Sequence, residues 1–280
     1  MDINIQVQDN KIDVNQIPIY CGLIGGAPKV GKSTVASKWS DKGKDRVLLI
    51  DLDMGADFID CNRLPVTCLN PPIQEIKSEQ GTKKEVVNPI DRGYVYKTGP
   101  KKGQAMPVYS LYEVYEWVEE KILGEEFPYS TVVMDTIDAL NKLVEQKVLQ
   151  EMGIDSMGQA GYGQDWNKAK QKNLRILEQF IDLFERNAIN TLLICHTRQR
   201  KITQDGTIQE SPALPRGLSN LLQGRVDFIC NVKRNKEGQP IADFKSYSEK
   251  QVGSRINALN DTSIPFSYTS FEETIKNYQE

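Results

Sequence analysis

The chain has a single histidine, His196, among its 280 residues. That scarcity argues against a zinc centre, which draws on several His or Cys ligands. The five cysteines are odd in number and form no C-x-x-C pair. They exclude a disulfide framework and read as buried free thiols in a reducing compartment. No apolar run of about 18 residues occurs, which excludes a transmembrane helix. The opening segment, MDINIQVQDNKIDVNQ, is polar and acidic and lacks the apolar stretch of a signal peptide, so a cytoplasmic location is expected. Excess charge of one sign is missing too. With 35 Lys and Arg against 38 Asp and Glu, the net charge is −3, so any nucleic-acid surface has to be a local patch. Internal repeats and low-complexity tails are absent.

What remains is the composition of an ordinary globular protein, 39% hydrophobic and 26% charged. Residues 1–16 read as an arm or short edge strand, and 17–280 as one large domain. Short apolar runs at Ile17–Gly26, Arg46–Asp51, Ser130–Asp135, Asn190–His196 and Val226–Val232 predict buried strands. Helices are predicted from Lys32 to about Lys42, over Ser110–Leu123, from about Ala139 to Met152, and, after a glycine-rich loop over Met157–Gln164, as a long helix ending near Asn187. Ser110 with Glu113 three residues on is a capping-box pattern. One or two antiparallel strands and a short helix near Phe271–Tyr278 complete the chain. Strand–helix alternation of this kind argues for an α/β fold whose mainly parallel sheet is covered by helices on both faces. Residues 54–109 break the rhythm and read as a β-rich insertion, with a hairpin over Gly93–Tyr109. Residues 197–216 read as a polar loop.

GAPKVGKS, Gly26–Ser33, satisfies G-x-x-x-x-G-K-[ST] at every fixed position. Glycines let backbone N–H groups turn inward around phosphate oxygens, and the following helix points its positive end at them. Lys32 supplies charge for the β- and γ-phosphates, and the Ser33 hydroxyl is suited to Mg²⁺. Gly26, Ala27, Pro28, Lys29, Val30, Gly31, Lys32, Ser33 and Thr34 are therefore the expected binding residues for ATP or a close relative. Lys29 adds a cation, facing phosphate or solvent.

Such a site needs a carboxylate on the Mg²⁺ side and a base or polariser for attacking water. Asp135, at the end of TVVMD, fits the first role, beside Ser33 as a metal residue. For the second, Asp51, Asp53 and Asp138 stay open. Asp51 and Asp53 share a face if their strand continues. His196 ends the fourth predicted strand, beside the presumed γ-phosphate.

GGAPKVGKST, LLIDLDMGAD, VVMDTIDAL and LLICHTRQRK occur in the order of a RecA-like core, and MGQAGYGQDWNKAKQ before the long helix is similar as well. More closely, residues 17–255 resemble the phage and prophage nucleotide-binding proteins that are minimal RecA-like ATPases associated with single-strand annealing and recombination. The resemblance implies a RecA-like P-loop NTPase core with ATP and Mg²⁺ as cofactors. It implies a homo-oligomer, ring or filament, on single-stranded DNA in a bacterial host cytoplasm. It places Asp53 as the base, one methylene shorter than the family's glutamate, and Lys32 and Asp135 in catalysis. His196 falls at the γ-phosphate sensor. Arg198, Arg200 and Lys201, after His196, and Tyr162, before the long helix, fall in DNA loops. Arg255, in QVGSRINAL, falls where a residue reaches a neighbouring subunit's nucleotide.

Other readings share the P-loop. A replication motor or loader would need a further docking domain. A small-molecule kinase would need an arginine lid, for which Arg63 and Arg92 are available. An ATP-gated interaction protein would hydrolyse little.

Overall fold

The computed structural model describes residues 17–78, 81–201, 208–245 and 252–278. In chain order the elements are β1 (Cys21–Gly26), α1 (Lys32–Ala36), β2 (Val47–Asp51), β3 (Asn62–Cys68), β4 (Ile73–Ser78), β5 (Gly81–Val86), β6 (Tyr109–Ser110) and α2 (Leu111–Leu123). There follow β7 (Thr131–Asp135), α3 (Ile137–Met152), α4 (Gln164–Arg186), β8 (Asn190–Ile194), β9 (Thr197–Lys201), β10 (Ile208–Pro212) and α5 (Arg216–Arg225). The chain closes with β11 (Phe228–Arg234), β12 (Pro240–Asp243), β13 (Gly253–Ser254), β14 (Ser263–Pro265) and α6 (Tyr268–Lys276).

One sheet carries the order β14-β12-β11-β1-β8-β7-β2-β3-β6, with β13 also paired to β11. From β11 through β6 the pairing is parallel, and the antiparallel pairs, β11–β12, β11–β13 and β12–β14, lie at one side. The α/β architecture is as the strand–helix alternation implied. Every residue of β1, β2 and β7 is buried, as expected where both sheet faces are covered. Alternate residues feed two cores. Leu23, Leu48, Ile50, Val132 and Met134 pack under α2, α3, α4 and α5. Ile24, Leu49, Val133 and Ile194 face the opposite core, with Trp39, Phe228, Phe266 and Phe271. There the Trp39 ring lies 5.5 Å from that of Phe271, and its indole N–H donates to the Tyr20 hydroxyl at 2.9 Å.

Several local expectations are corrected. The helix after the phosphate loop stops at Ala36, not near Lys42. Its end tightens into short-range bonds, Lys38 N–H to Val35 O and Trp39 N–H to Ala36 O, as Trp39 turns into the aromatic core. The stretch 54–109 is not wholly an insertion, because β3 pairs in parallel with β2 and β6 pairs with β3. The added segment is thus the part between these strands. Its hairpin is β4–β5. Around Gly93–Tyr109 the pairing reduces to one bridge, Val95 to Ala105, because residues 99–104 close successive tight turns. The polar loop after His196 is an antiparallel hairpin, β9–β10, leading into α5. The capping box is present: Ser110 Oγ accepts from Glu113 N–H at 3.2 Å, and Glu113 Oε2 accepts from Ser110 N–H at 2.7 Å. The arm 1–16 lies outside the described residues.

Candidate functional site

The strand order sets the site. β8 lies between β1 and β7, and β2 lies beyond β7, so the carboxyl ends of four parallel strands bring the phosphate loop, His196, Asp135 and Asp51 to one edge. Open parallel sheets bind ligands at that edge. Gly26 ends β1 so close to β11 that a Cβ on it would lie 2.5 Å from the Val232 carbonyl oxygen, and only glycine avoids the clash. Ala27, Pro28 and Lys29 are exposed, Val30 is half-buried, and Gly31 precedes α1 with a left-handed backbone. Ser33 and Thr34 fall in the first turn of α1. Arg234 of β11 donates to the Lys29 carbonyl at 3.3 Å, so a residue that sequence reasoning missed leans on the loop.

Lys32 is buried, and its ammonium donates to the carbonyls of Gly26 and Ala27, both at 2.9 Å. Burial lowers its pKa, opposed chiefly by Asp135. Asp135 is also buried, and its Oδ1 has no hydrogen-bond partner. Burial pushes this carboxyl up to about 7, with the Ser33 hydroxyl pulling the other way. An orphaned carboxylate oxygen beside a hydroxyl and an ammonium is uncommon in a folded interior. It is the donor set that a phosphate-bound Mg²⁺ would complete. Among the described residues no three His, Cys, Asp or Glu side chains converge on a metal site. Mg²⁺ in nucleotide sites is held by one or two protein groups together with phosphates and water, so Ser33 and Asp135 fit it.

The three carboxylates left open as bases have different surroundings. Asp51 is fully buried and stands in register with Asp135 on the neighbouring strand. Burial raises its pKa, opposed chiefly by Arg63. Asp53 is exposed at the mouth of the site, with Oδ1 accepting from Gly55 N–H at 2.9 Å. Asp138, in the first turn of α3, is engaged by His196: Oδ2 lies 2.8 Å from Nδ1, and Oδ1 accepts from the His196 backbone N–H at 3.0 Å. His196 is therefore oriented by a carboxylate. Its own carbonyl accepts from Ala213 N–H at 2.7 Å, which ties it to the far side of the β9–β10 hairpin.

The remaining expected residues are scattered. Tyr162 has a left-handed backbone and a fully exposed ring just before α4. Arg198 lies on β9 and donates to the Leu214 carbonyl, while the side chains of Arg200 and Lys201 lie outside the described residues. Arg255 donates to Gly224 O at 2.6 Å and Asp227 Oδ1 at 3.3 Å within its own chain. The two arginines considered for a kinase lid are both committed inside the fold. Arg92 pairs with Glu113 at 2.6 Å. Arg63 pairs with Asp57 at 2.9 Å and approaches Asp51 at 3.5 Å. No sequence pattern signals the second of these contacts, since it joins β3 to β2 across the sheet.

A phosphate loop on the carboxyl end of a parallel strand, with a buried acid two strands away, defines a P-loop nucleotide-binding protein. Residues 20–263 match the AAA domain family, and the chain belongs to it. Membership places it among the P-loop ATPases, which bind and hydrolyse nucleotide, typically with Mg²⁺. No curated protein matches the sequence. Among the described residues no helix is long and apolar enough to cross a membrane.

Proposed function

We propose that this chain is an ATPase that binds single-stranded DNA, working as a homo-oligomer in strand annealing or recombination. The observation that carries the reading is His196. It sits at the sheet edge between the phosphate loop and Asp135, is fixed by Asp138, and is joined to the basic β9–β10 hairpin both through the chain and through Ala213. A change sensed at the nucleotide has a short mechanical route to TRQRK, the sequence of β9.

In this reading the chain's own residues divide the work. Mg²⁺-ATP, when bound, would supply the phosphoanhydride bond to be broken and a cation that counters the negative charge of the phosphate oxygens. Backbone N–H groups of Gly26–Thr34, Pro28 excepted, would hold the phosphates, and Lys32 would exchange its two carbonyl partners for phosphate oxygens. Ser33 and Asp135 would hold the cation. Asp53, the exposed acid, takes the proton of the attacking water. His196 would meet the terminal phosphate with its other ring nitrogen and pass its presence to the hairpin, where Arg198, Arg200 and Lys201 would meet the DNA backbone. Tyr162 is free to stack on a base, and Arg255 would serve a neighbouring subunit only by leaving Gly224 and Asp227.

The test is the steady-state ATPase rate with Mg²⁺, with and without single-stranded DNA, at two salt concentrations. Stimulation that disappears at high salt supports the reading, because phosphate contacts are salt-dependent. A rate indifferent to DNA, with no DNA binding, sinks the DNA half and leaves the ATPase.

A further inference from the structure

The acidic half of the site rests on a chain of charges that reaches into the added segment. Asp51 accepts the N–H groups of Gly55 at 3.1 Å and Ala56 at 3.3 Å, closing a turn over residues 51–56. Asp53 is carried on that turn and shares the Gly55 N–H. A Cβ on Gly55 would stand 2.7 Å from Asp53 Oδ1, so this glycine is what lets the acid lie against the turn. Behind Asp51 stands Arg63, only 14% exposed, with Nε 3.5 Å from Asp51 and Nη2 2.9 Å from Asp57. Asp57, 6% exposed, also accepts from Lys97 Nζ at 2.6 Å, while its carbonyl accepts from the Thr98 hydroxyl at 3.0 Å. Lys97 and Thr98 belong to the segment between β3 and β6, and these groups line a cavity of about 290 Å³.

Asp51, Asp53 and Asp135 lie along this edge, and the charge of Asp53 raises the pKa of both Asp51 and Asp135. Arg63, reaching over from β3, is the cation paired with Asp51. It neutralises Asp51 without occupying the mouth, so the turn closes on Asp51 and Asp53 stays outside. A buried guanidinium that donates to Asp57 from one nitrogen and stands 3.5 Å from Asp51 at another holds such a geometry better than a lysine.

We propose that Arg63, braced by Asp57 and Lys97, is a positioning residue for hydrolysis, fixing the 51–56 turn so that the segment between β3 and β6 sets the placement of Asp53. The inference rests on Asp53 being the base. Misplacement of a reacting group by a remote change costs up to about a hundredfold in rate.

The test compares full-length wild type, Arg63→Gln, Arg63→Lys, Lys97→Met and Asp53→Asn. It measures kcat for ATP hydrolysis and the equilibrium affinity for a fluorescent ATP analogue. Arg63→Gln is expected to lower kcat roughly ten- to hundredfold with affinity within about twofold of wild type. Arg63→Lys should recover part of the loss, and Lys97→Met should lower kcat about threefold, with the Lys97 and Arg63 effects non-additive. The Lys97 side chain is 59% exposed, so Lys97→Met keeps the test decisive should Arg63→Gln not fold. If Asp53→Asn lowers kcat while Lys97→Met and any folded Arg63 variant match wild type, the positioning role is overturned and the base assignment stands. An unchanged kcat in Asp53→Asn overturns both. Parallel loss of affinity and kcat in Arg63→Gln assigns Arg63 to nucleotide binding and overturns the proposal.

Discussion

The two halves of the nucleotide edge are built in opposite ways. The phosphate half is local: nine consecutive residues, Gly26–Thr34, supply the glycines, the lysine and the hydroxyl, and Lys32 bonds back to carbonyls five and six positions away. The acidic half is assembled from distant pieces. Asp51 comes from β2, Asp135 from β7, Arg63 from β3 and Lys97 from the segment beyond it. A local device works wherever its strand and helix form. An assembled one depends on sheet register, and every contributor beyond the acids is a place where the rate can be adjusted.

That contrast can be broken or sharpened by mutation, beginning with the largest effect. Lys32→Ala should reduce ATP turnover by about a hundredfold or more, measured as steady-state phosphate release. Unchanged turnover would remove the phosphate half altogether. Asp53→Asn should cost about a hundredfold in kcat, within the usual range for a general base, with nucleotide affinity retained. If Asp51→Asn gave the larger loss in folded protein, the base would be the buried acid. His196→Ala should leave nucleotide affinity intact while reducing the ATP dependence of DNA binding by about tenfold, the order of a typical coupling energy. Fluorescence anisotropy of labelled single-stranded DNA reads this, and lost nucleotide binding would make His196 part of the phosphate half. The smallest effect belongs to the joint where the added segment rejoins the fold. Ser110→Ala removes a helix cap worth about 1 kcal/mol, and should lower Tm by about 2–4 °C without changing KM for ATP.

The same contrast governs what the sequence disclosed. The phosphate loop was legible because its chemistry fixes residue types at fixed spacing. Asp135 was legible because TVVMD is an apolar strand ending in an acid, and Ser110 because capping is local. β3 was not legible: NRLPVTC carries an arginine and a proline, and its arginine is tolerated inside only because Asp51 and Asp57 await it on other elements. The β4–β5 hairpin was missed because charges such as Glu75, Lys83, Lys84 and Glu85 occupy it without an apolar alternation. The hairpin after His196 was hidden by the polarity of its strands. The asymmetry between Asp51 and Asp53, one sealed and one at the mouth, follows from the turn at Gly55 and could not follow from a spacing of two.

The position of β1 has a consequence in time. Its neighbours are β8 and β11, and the Cys21 N–H donates to Asp227 Oδ2 at 2.8 Å, 206 positions along the chain. Translation at about 5–20 residues per second separates the two by about 10–40 s. Until β11 emerges, the strand that carries the phosphate loop lacks one of its two partners, and Gly26 lacks the wall against which it is shaped. A nascent chain therefore carries its phosphate loop well before the strand that completes the loop's surroundings. Binding of ATP would then act as a late seal on the fold, drawing together segments made far apart in time.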